Sequence, residues 1–403
     1  MKPKHNVTIG LAVGCLLIAG TAMGNSRDRR GDSGAGDSGG NNNGSQQAPQ
    51  GSDSTTADPI YFNALTGIHA GDVDLSGAPV SDEIVVVYQH NFGIYPYINS
   101  SEVHFNGSVP QNINMQEHLR ELAIDIERYI PDPDFDGFVS IDYEEWPPFW
   151  EDCMERYREY SRELVREANP SWDDLKVERK AKREFEKAAK KYMKKTLKKC
   201  QQLRPKAKWG YWAYPKEAHH DNNANWLWNA QDAFFPDLYM PYRLRPDDAT
   251  DMILGEIGES WYITNRLEGR VGYARELAGN KPVLAFTYPR YENRNPNQWI
   301  RLRPLTPSDL TMCMEGPLNH GADGIVLWDN VPQPSVADAF QIYYDDIIAP
   351  EFNRVLESRG LPFGPADGVI DPGEDDEGDS EPIAGVDDDV TDVNEGDDVR
   401  RGG

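Results

Sequence analysis

The sequence predicts an α/β fold of seven to eight parallel strands closed into a TIM-like barrel over residues 58–360. Three observations point there. Strand-like and helix-like segments alternate along the chain, the pattern of a parallel sheet. About 300 residues carry that alternation, a length that suits one α/β barrel. Aromatic and acidic residues gather where the strand-like runs end, and barrel active sites lie at that face.

The elements follow in order. Residues 60–63 and 84–88 are short β-rich runs. Residues 115–129 have helical periodicity, and residues 138–144 form the next strand. Residues 155–167 and 175–203 are helical and lead into a strand at 209–214. Residues 225–233 read as helix, 238–240 as strand and 250–277 as mostly helix. A strand at 283–286, a helix at 307–319, a strand at 324–328 and a helix at 336–344 complete the alternation. Tyr88, Glu144, Trp212, Tyr239 and Trp328 stand at or near strand ends.

The two ends of the chain differ in composition from this region. Residues 1–24 read as a secretory signal: Lys2 and Lys4 precede an apolar run, and Ala22-Met23-Gly24 supplies small residues for cleavage. Ala12-Val13-Gly14 is a poor lipidation context for Cys15. Residues 25–57 hold almost no apolar side chain and read as a disordered linker. Residues 364–403 carry 15 Asp and Glu against Arg400 and Arg401, which is half of the formal net charge of −26. The acidity therefore sits largely in a disordered tail (residues 361–403) and says little about the ligand of the folded region. No later apolar run approaches the roughly 20 residues of a membrane span, so the expectation is an exported protein, secreted or periplasmic, and monomeric. Cys153, Cys200 and Cys313 are too few for a disulfide framework, although Cys153 and Cys200 flank two helices and are placed to pair.

Three motifs mislead. Asp132-Pro133-Asp134-Phe135-Asp136-Gly137 imitates the start of a calcium loop, but its twelfth position is Tyr143 and its Gly opens a strand. Adjacent His219 and His220 lack the spacing of a helical metal site. Residues 176–199 hold 12 Lys and Arg, while Phe185, Ala189, Tyr192, Thr196 and Cys200 recur at helical spacing. That is an amphipathic helix with a solvated basic face or, on a sharper reading, a polyanion surface. No aromatic–basic interleaving supports nucleic acid as its partner.

Phe138-Val139-Ser140-Ile141-Asp142-Tyr143-Glu144-Glu145-Trp146 is the most informative stretch. Asp136-Gly137 is a turn, Val139 and Ile141 are β-branched, and the strand ends in carboxylates. Side chains two apart share a strand face at roughly 6–7 Å. Asp142 and Glu144 point the same way and Glu145 the other, so replacing Glu145 should be nearly silent. A carboxylic acid kept protonated beside a carboxylate is what a glycosidase needs to protonate a leaving oxygen.

From Ile141 to Trp146 the chain resembles the hyaluronidases of glycoside hydrolase family 56, the animal and venom type, with the Ile-Asp-x-Glu-x-Trp segment. Gly93-Ile94-Tyr95-Pro96-Tyr97, Leu203-Arg204-Pro205 with Trp209-Gly210-Tyr211, and Trp226-Leu227-Trp228-Asn229 are similar to further family segments in the same order. So are Phe235-Pro236 with Leu238-Tyr239-Met240-Pro241, and Gly321-Ala322-Asp323-Gly324 through Trp328. The resemblance implies a distorted (β/α) barrel and hydrolysis of β-1,4 bonds in hyaluronan or the related chondroitin. It implies no metal, no cofactor and no enzyme nucleophile, because the substrate's acetamido oxygen attacks the anomeric carbon. Glu144 would be general acid and then base, Asp142 would orient the acetamido nitrogen, and Tyr239 would hydrogen-bond the acetamido group. Trp328 would pack on its methyl, with Tyr88, Asn63, Tyr291 and Glu292 along the groove.

The chain also departs from the family. Trp212 replaces the second active-site tyrosine, and Pro147 stands where an Arg usually follows the motif tryptophan. The family disulfides and the Cys-rich module of vertebrate members are missing, and the loop after Pro215 is short. The signal, linker and tail are of bacterial composition. Two rivals stay open at this point: a catalytically silent glycan-binding barrel and a polyanion-binding structural protein.

Overall fold

β-branched and aromatic runs form the staves of a closed ring. β1 (Tyr61–Thr66) pairs in parallel with β2 (Val80–Ser81), and β3 (Ile84–Tyr88) follows after Asp82 and Glu83. A small antiparallel ladder of β4 (Tyr97–Ile98) and β5 (His104–Phe105) precedes α1 (Met115–Tyr129), whose first turn is capped by Asn114 accepting from Glu117 N. β6 (Phe138–Asp142) is followed by α2 (Glu155–Ala168) and α3 (Asp174–Leu203), the latter capped by Asp173 accepting from Lys176 N. β7 (Lys208–Tyr211) and the single-turn α4 (Asn225–Trp228) come next. β8 (Arg243–Arg245) and β9 (Glu256–Gly258) pair in parallel and lead into α5 (Glu259–Tyr262), a π-helical stretch (Ile263–Gly272) and α6 (Tyr273–Ala278). β10 (Leu284–Thr287), α7 (Pro307–Asn319), β11 (Gly324–Asn330), α8 (Pro334–Tyr343) and α9 (Ala349–Ser358) complete the order. The computed structural model describes residues 60–215, 224–241, 243–245, 256–291 and 303–361.

β3, β6 and β7 form one parallel sheet, and β10, β11, β1 and β2 form another. Two junctions join them. The β2–β3 stave bends at Asp82–Glu83, so its first part pairs with β1 and its second with β6. Asn63 Nδ2 donates to Asp82 Oδ1 across that bend at 2.8 Å. At the other junction residues 234–238 run between β7 and β10. Trp212 pairs with Phe235, while Phe234 and Asp237 pair with Val283 and Phe286. Ala213 N donates to Phe235 O and Phe286 N to Pro236 O, both at 2.9 Å. With the bent stave taken once, seven staves close the ring.

The ring separates two apolar regions. Its inside is filled by Phe62, Ala64, Ile84, Ala233, Phe235, Leu284, Phe286 and Val326, with Tyr239 above them. The larger cluster lies between the staves and the surrounding helices and includes Leu122, Val139, Ile141, Phe185, Tyr192, Trp209 and Ile325. Alternate residues of each strand thus serve different cores, which is why the staves read as almost continuous apolar runs.

The boundaries of α1 and α7 are those the sequence predicts. Residues 225–233 are not one helix. The helix stops at Trp228, because Asp232 N and Phe234 N are drawn into the sheet, onto Trp209 O at 2.7 Å and Pro282 O at 2.9 Å. The predicted strand at 238–240 is the exit of the stave at 234–238, which joins the sheet by isolated bridges. β2, β4, β5, β8 and α9 add to the predicted elements, and β9 takes residues 256–258 out of the helix expected over 250–277. Cys153 and Cys200 do not pair: both are buried free thiols, and Cys153 donates to Pro147 O at 3.3 Å. His219, His220 and Asp221 lie outside the described residues.

Gly210 is required by the closure of the ring. A Cβ there would stand 2.2 Å from Ala233 O and 2.9 Å from the Phe235 ring, whereas one at Gly71 would meet nothing within 4 Å. Gly210→Ala should lower stability by about 1–3 kcal/mol through overpacking, and Gly71→Ala should not. Urea unfolding of both variants checks this, and equal midpoints would show that the wall relaxes freely.

Candidate active site

Strand pleat determines what lines the top of the ring. Following the inner alternation to the top of six of the seven staves brings Tyr88, Asp142, Trp212, Tyr239, Tyr288 and Trp328 to one level above the inner apolar layer. Ring contacts confirm this layer. The Tyr239 ring lies 5.8 Å from Trp212, 5.5 Å from Tyr288 and 5.8 Å from Trp328, and Tyr288 lies 5.5 Å from Trp328.

Alternation continues past the end of β6. Tyr143 points outward, packs at a tilt among Tyr95, Tyr192 and Tyr211, and donates to Phe92 O at 2.6 Å. Glu145 also points outward, where its Oε2 accepts from Tyr157 OH at 2.9 Å and pairs with Arg156 at 3.1 Å. Asp142 and Glu144 take the opposite side, toward the ring interior. The counter-ion of Glu145 is thus supplied from α2 by Arg156. Glu145 is 7% exposed, so its replacement, expected to be silent because the side chain faces away, should still cost stability. It removes a buried charge from Arg156, and the loss falls on stability rather than on the inner rim.

The backbone of this turn is clamped. Gln89 N donates to Asp142 O at 3.0 Å, and Gln89 Oε1 accepts from Glu144 N at 2.8 Å and Glu145 N at 3.3 Å. Trp146 stacks on Tyr95 at 5.0 Å, its N bonds Tyr95 OH at 3.2 Å, and its indole donates to Pro96 O at 2.6 Å. The Gly93–Tyr97 and Asp142–Trp146 motifs are therefore two sides of one support. Gly93 has φ +67° and a Cβ there would strike the His118 ring. Burial pushes His118 down to about 4, so neutral His118 accepts from Ile94 N through Nδ1 at 3.0 Å and donates through Nε2 to Thr196 at 2.9 Å.

Burial raises the Tyr239 hydroxyl well above its usual range, and Asp142, Asp237, Tyr88 and Glu144 add to the rise. It is a permanent proton donor near neutral pH, and these interactions bring Tyr239 and both inner carboxylates into one field. Tyr88 is likewise raised, first by burial and then by Asp142, and its OH accepts from Trp328 Nε1 at 2.9 Å. Two nearby carboxylates are already engaged: Asp237 by Arg270, and Asp329 by Arg290 at 2.7 Å. Tyr288 also hydrogen-bonds Asp329, so the Asp329–Arg290 pair steadies one side of the aromatic layer.

The remaining predicted residues are placed differently. Asn63 lies on the other pleat face from Phe62 and Ala64, and it is occupied by Asp82 and Leu65 N. Tyr291 belongs to the outer cluster, and its hydroxyl is given to Asp309 of α7. Glu292 lies outside the described residues. Sequence reasoning missed Gln89 and Tyr288. Tyr288 was recoverable by extending the Leu284, Phe286 alternation by one step. Among the described residues no group of three His, Cys, Asp or Glu is placed to hold a metal, and no helix is long and apolar enough to cross a membrane.

The model of the hyaluronidase family, glycoside hydrolase family 56, matches residues 74–222 and 216–342. The chain belongs to this family. It is 27% identical over 300 residues to the hyaluronidase of Apis mellifera, covering 68% of this chain and 74% of that protein. It is 31% identical over 300 residues to the hyaluronidase of Crotalus adamanteus, covering 68% of this chain and 63% of that protein. The match therefore spans under two thirds of the snake protein's length. A crystal structure of bee venom hyaluronidase superposes with a TM-score of 0.57 at 27% identity, over 68% of this chain and 87% of that chain. The bee venom enzyme in complex with a hyaluronic acid tetramer superposes with a TM-score of 0.62 at 24% identity, over 73% and 99%. The seven-stave ring is thus the distorted TIM-like barrel of this hyaluronidase family.

Asp329 gives the site a pH signature. Burial pushes its carboxyl up to about 6, against the opposing pull of Arg290 and of the Asn330 N–H. The unfolded carboxyl loses its proton near pH 4 and the folded one near pH 6, so this group's contribution to stability falls as pH rises through that window. The stability of the parent relative to Asp329→Asn should therefore decline between about pH 4 and 6.5, by on the order of 2 kcal/mol. Urea unfolding of both proteins across that range measures it, and parallel curves would show that Asp329 titrates as an ordinary carboxylate.

Proposed function

We propose that this protein is an exported endo-β-N-acetylhexosaminidase. It hydrolyses β-1,4 bonds of hyaluronan, with chondroitin as a related substrate, by a retaining, substrate-assisted mechanism. The observation that carries the reading is the sorting of carboxylates at the end of β6: Asp142 and Glu144 face the inner rim while Glu145 is paired outside with Arg156. Family membership and the bee enzyme's complex with a hyaluronic acid tetramer support the substrate class.

The chemistry follows from that placement. Glu144, protonated, gives its proton to the leaving glycosidic oxygen as the bond to the anomeric carbon breaks. Asp142 accepts the acetamido N–H and directs the acetamido oxygen at that carbon, closing an oxazoline-type ring. Glu144, now a carboxylate, takes a proton from the water that opens the ring, so two inversions give net retention. A nucleophile–acid pair must flank the sugar from opposite sides, and two side chains on one face of one strand do not. Asp237 and Asp329 are engaged by arginines, so neither competes for that role. Tyr239 donates to the acetamido oxygen, and Trp328 packs on its methyl with its indole fixed on Tyr88.

Glu144→Gln should lower kcat on hyaluronan by about 10²–10⁴-fold with the melting temperature nearly unchanged. Glu145→Gln should do the reverse, losing about 1–3 kcal/mol of stability while the folded enzyme turns over normally. Initial rates and thermal melts of both variants test this; equal rate losses would mean that the wrong carboxylate has been placed in the cleft. Products should be saturated, even-numbered oligosaccharides by mass, and unsaturated ends would replace hydrolysis by elimination.

Trp212 can stack on the sugar, but an indole N–H has no acceptor lone pair. Asp142 and Tyr239 then carry the alignment of the acetamido group, and slack there can lower the rate about 100-fold. Tyr239→Phe should lower kcat strongly, and Trp212→Tyr should keep or raise it on defined hyaluronan oligosaccharides. A collapse of Trp212→Tyr with its fold intact would assign the indole to a different substrate.

A further inference from the structure

The basic run singled out in the sequence is not used by the cleft chemistry. It forms the outer face of α3. Phe185, Ala189, Tyr192, Met193, Thr196, Leu197 and Cys200 are buried, and Lys187, Lys190, Lys191, Lys194, Lys195 and Lys198 are exposed on the opposite side. Charges on the two halves of the helix are arranged differently. In the N-terminal half cations meet acids, Lys176 with Asp173, Lys180 with Glu184 and Lys182 with Glu151. From Lys187 to Lys199 there are seven lysines and no acid. None of the seven forms an ion pair among the described residues. Lys190 Nζ lies 5.4 Å from the Trp226 ring centroid.

The position of this face ties it to the cleft. Tyr192 packs against Tyr143 at 6.0 Å, and Tyr211 OH donates to Met193 O at 3.1 Å. Tyr143 lies between Asp142 and Glu144, and Tyr211 directly precedes Trp212. Lys190 to Lys195 therefore stand level with the catalytic rim on the outside of its wall. Trp226 belongs to the segment that follows β7 at that rim.

We infer that the Lys187–Lys198 face of α3 is an exosite for the anionic polysaccharide itself, holding a stretch of a long chain outside the cleft. The inference rests on the proposed hyaluronidase reading and adds to it. Half of the formal net charge of −26 lies in the 364–403 tail, but the other −13 lies on residues 1–363, so like charges still repel a polyanion at long range. A carboxylate-bearing polymer therefore needs a local positive surface, and this is one about 16 Å long on a single helix face. Short oligosaccharides that only fill the cleft have no chain left to reach it.

The test replaces Lys190, Lys191, Lys194 and Lys195 jointly by Ala, which is favourable in an exposed helix, and in a second variant by Arg. KM and kcat are measured on high-molecular-weight hyaluronan and on a hexasaccharide at low and high salt. The Ala variant should raise KM for the polymer about fivefold or more at low salt, a few exposed ion contacts' worth. Its kcat and its hexasaccharide kinetics should not change, and the difference should fade as salt screens the face. The Arg variant should behave as the parent. An unchanged polymer KM, or an equal rise for both substrates, overturns the inference. So does duplex DNA competing as well as the polymer, which would make the face a general polyanion surface. If the parent cleaves neither substrate, the hyaluronidase reading itself fails. Retention of labelled polymer by parent against Ala variant then decides the exosite alone.

Discussion

The alternation of Asp142, Tyr143, Glu144 and Glu145 across the barrel wall is the constraint on which the site depends. Two acids go in, and a tyrosine and an acid go out. Each outward side chain finds a fixed partner in the layer between staves and helices, Tyr143 on Phe92 O and Glu145 on Arg156 and Tyr157. A slip of one residue would place Glu145 in the cleft and bury Glu144 against α2 without its partners. The register of one short strand is therefore held by contacts outside the site it serves.

Those contacts explain the spacing of the family motifs. Tyr95 and Pro96 hold Trp146, and Gly93 lets the chain pass the His118 ring closely enough to do so. Arg204 of the Leu203–Pro205 segment is buried and donates through Nε to Ile130 O at 2.7 Å, which ties the end of α1 to the start of β7. Gly321 and Asp323 anchor β11 beside β10 through Arg275 and Val283 N. Most of the resemblance thus lies in scaffold. The proposed chemistry falls to a smaller set of side chains at the inner rim.

Charge is distributed by the same division. The acids of the inner rim work in a low-dielectric layer of Tyr88, Tyr239, Tyr288 and Trp328, where burial keeps phenols protonated as donors. Neighbouring carboxylates that could compete are engaged by Arg270 and Arg290. The lysines of α3 remain solvated on the far side of the same wall, so the proposed exosite would meet a polyanion without desolvating either fully.

Local sequence determined much of this by itself. The caps Asn114 and Thr306 set where α1 and α7 begin, and the 3.6-residue repeat of Phe185, Ala189, Tyr192 and Thr196 set the buried face of α3. The two-residue repeat at β6 put Asp142 and Glu144 on one side. Only the tertiary structure decided the rest. Residues 229–233 leave the helix because β7 and β10 leave a gap that one more stave must fill. Asn63 and Tyr291 turn to Asp82 and Asp309, partners that lie 19 and 18 residues away in the chain. Gln89, Tyr288 and the Asp329–Arg290 pair gain their roles from strands that meet only when the ring closes. Periodicity fixes which face a side chain takes, but its partner is chosen by strand order, and strand order is a property of the closed barrel.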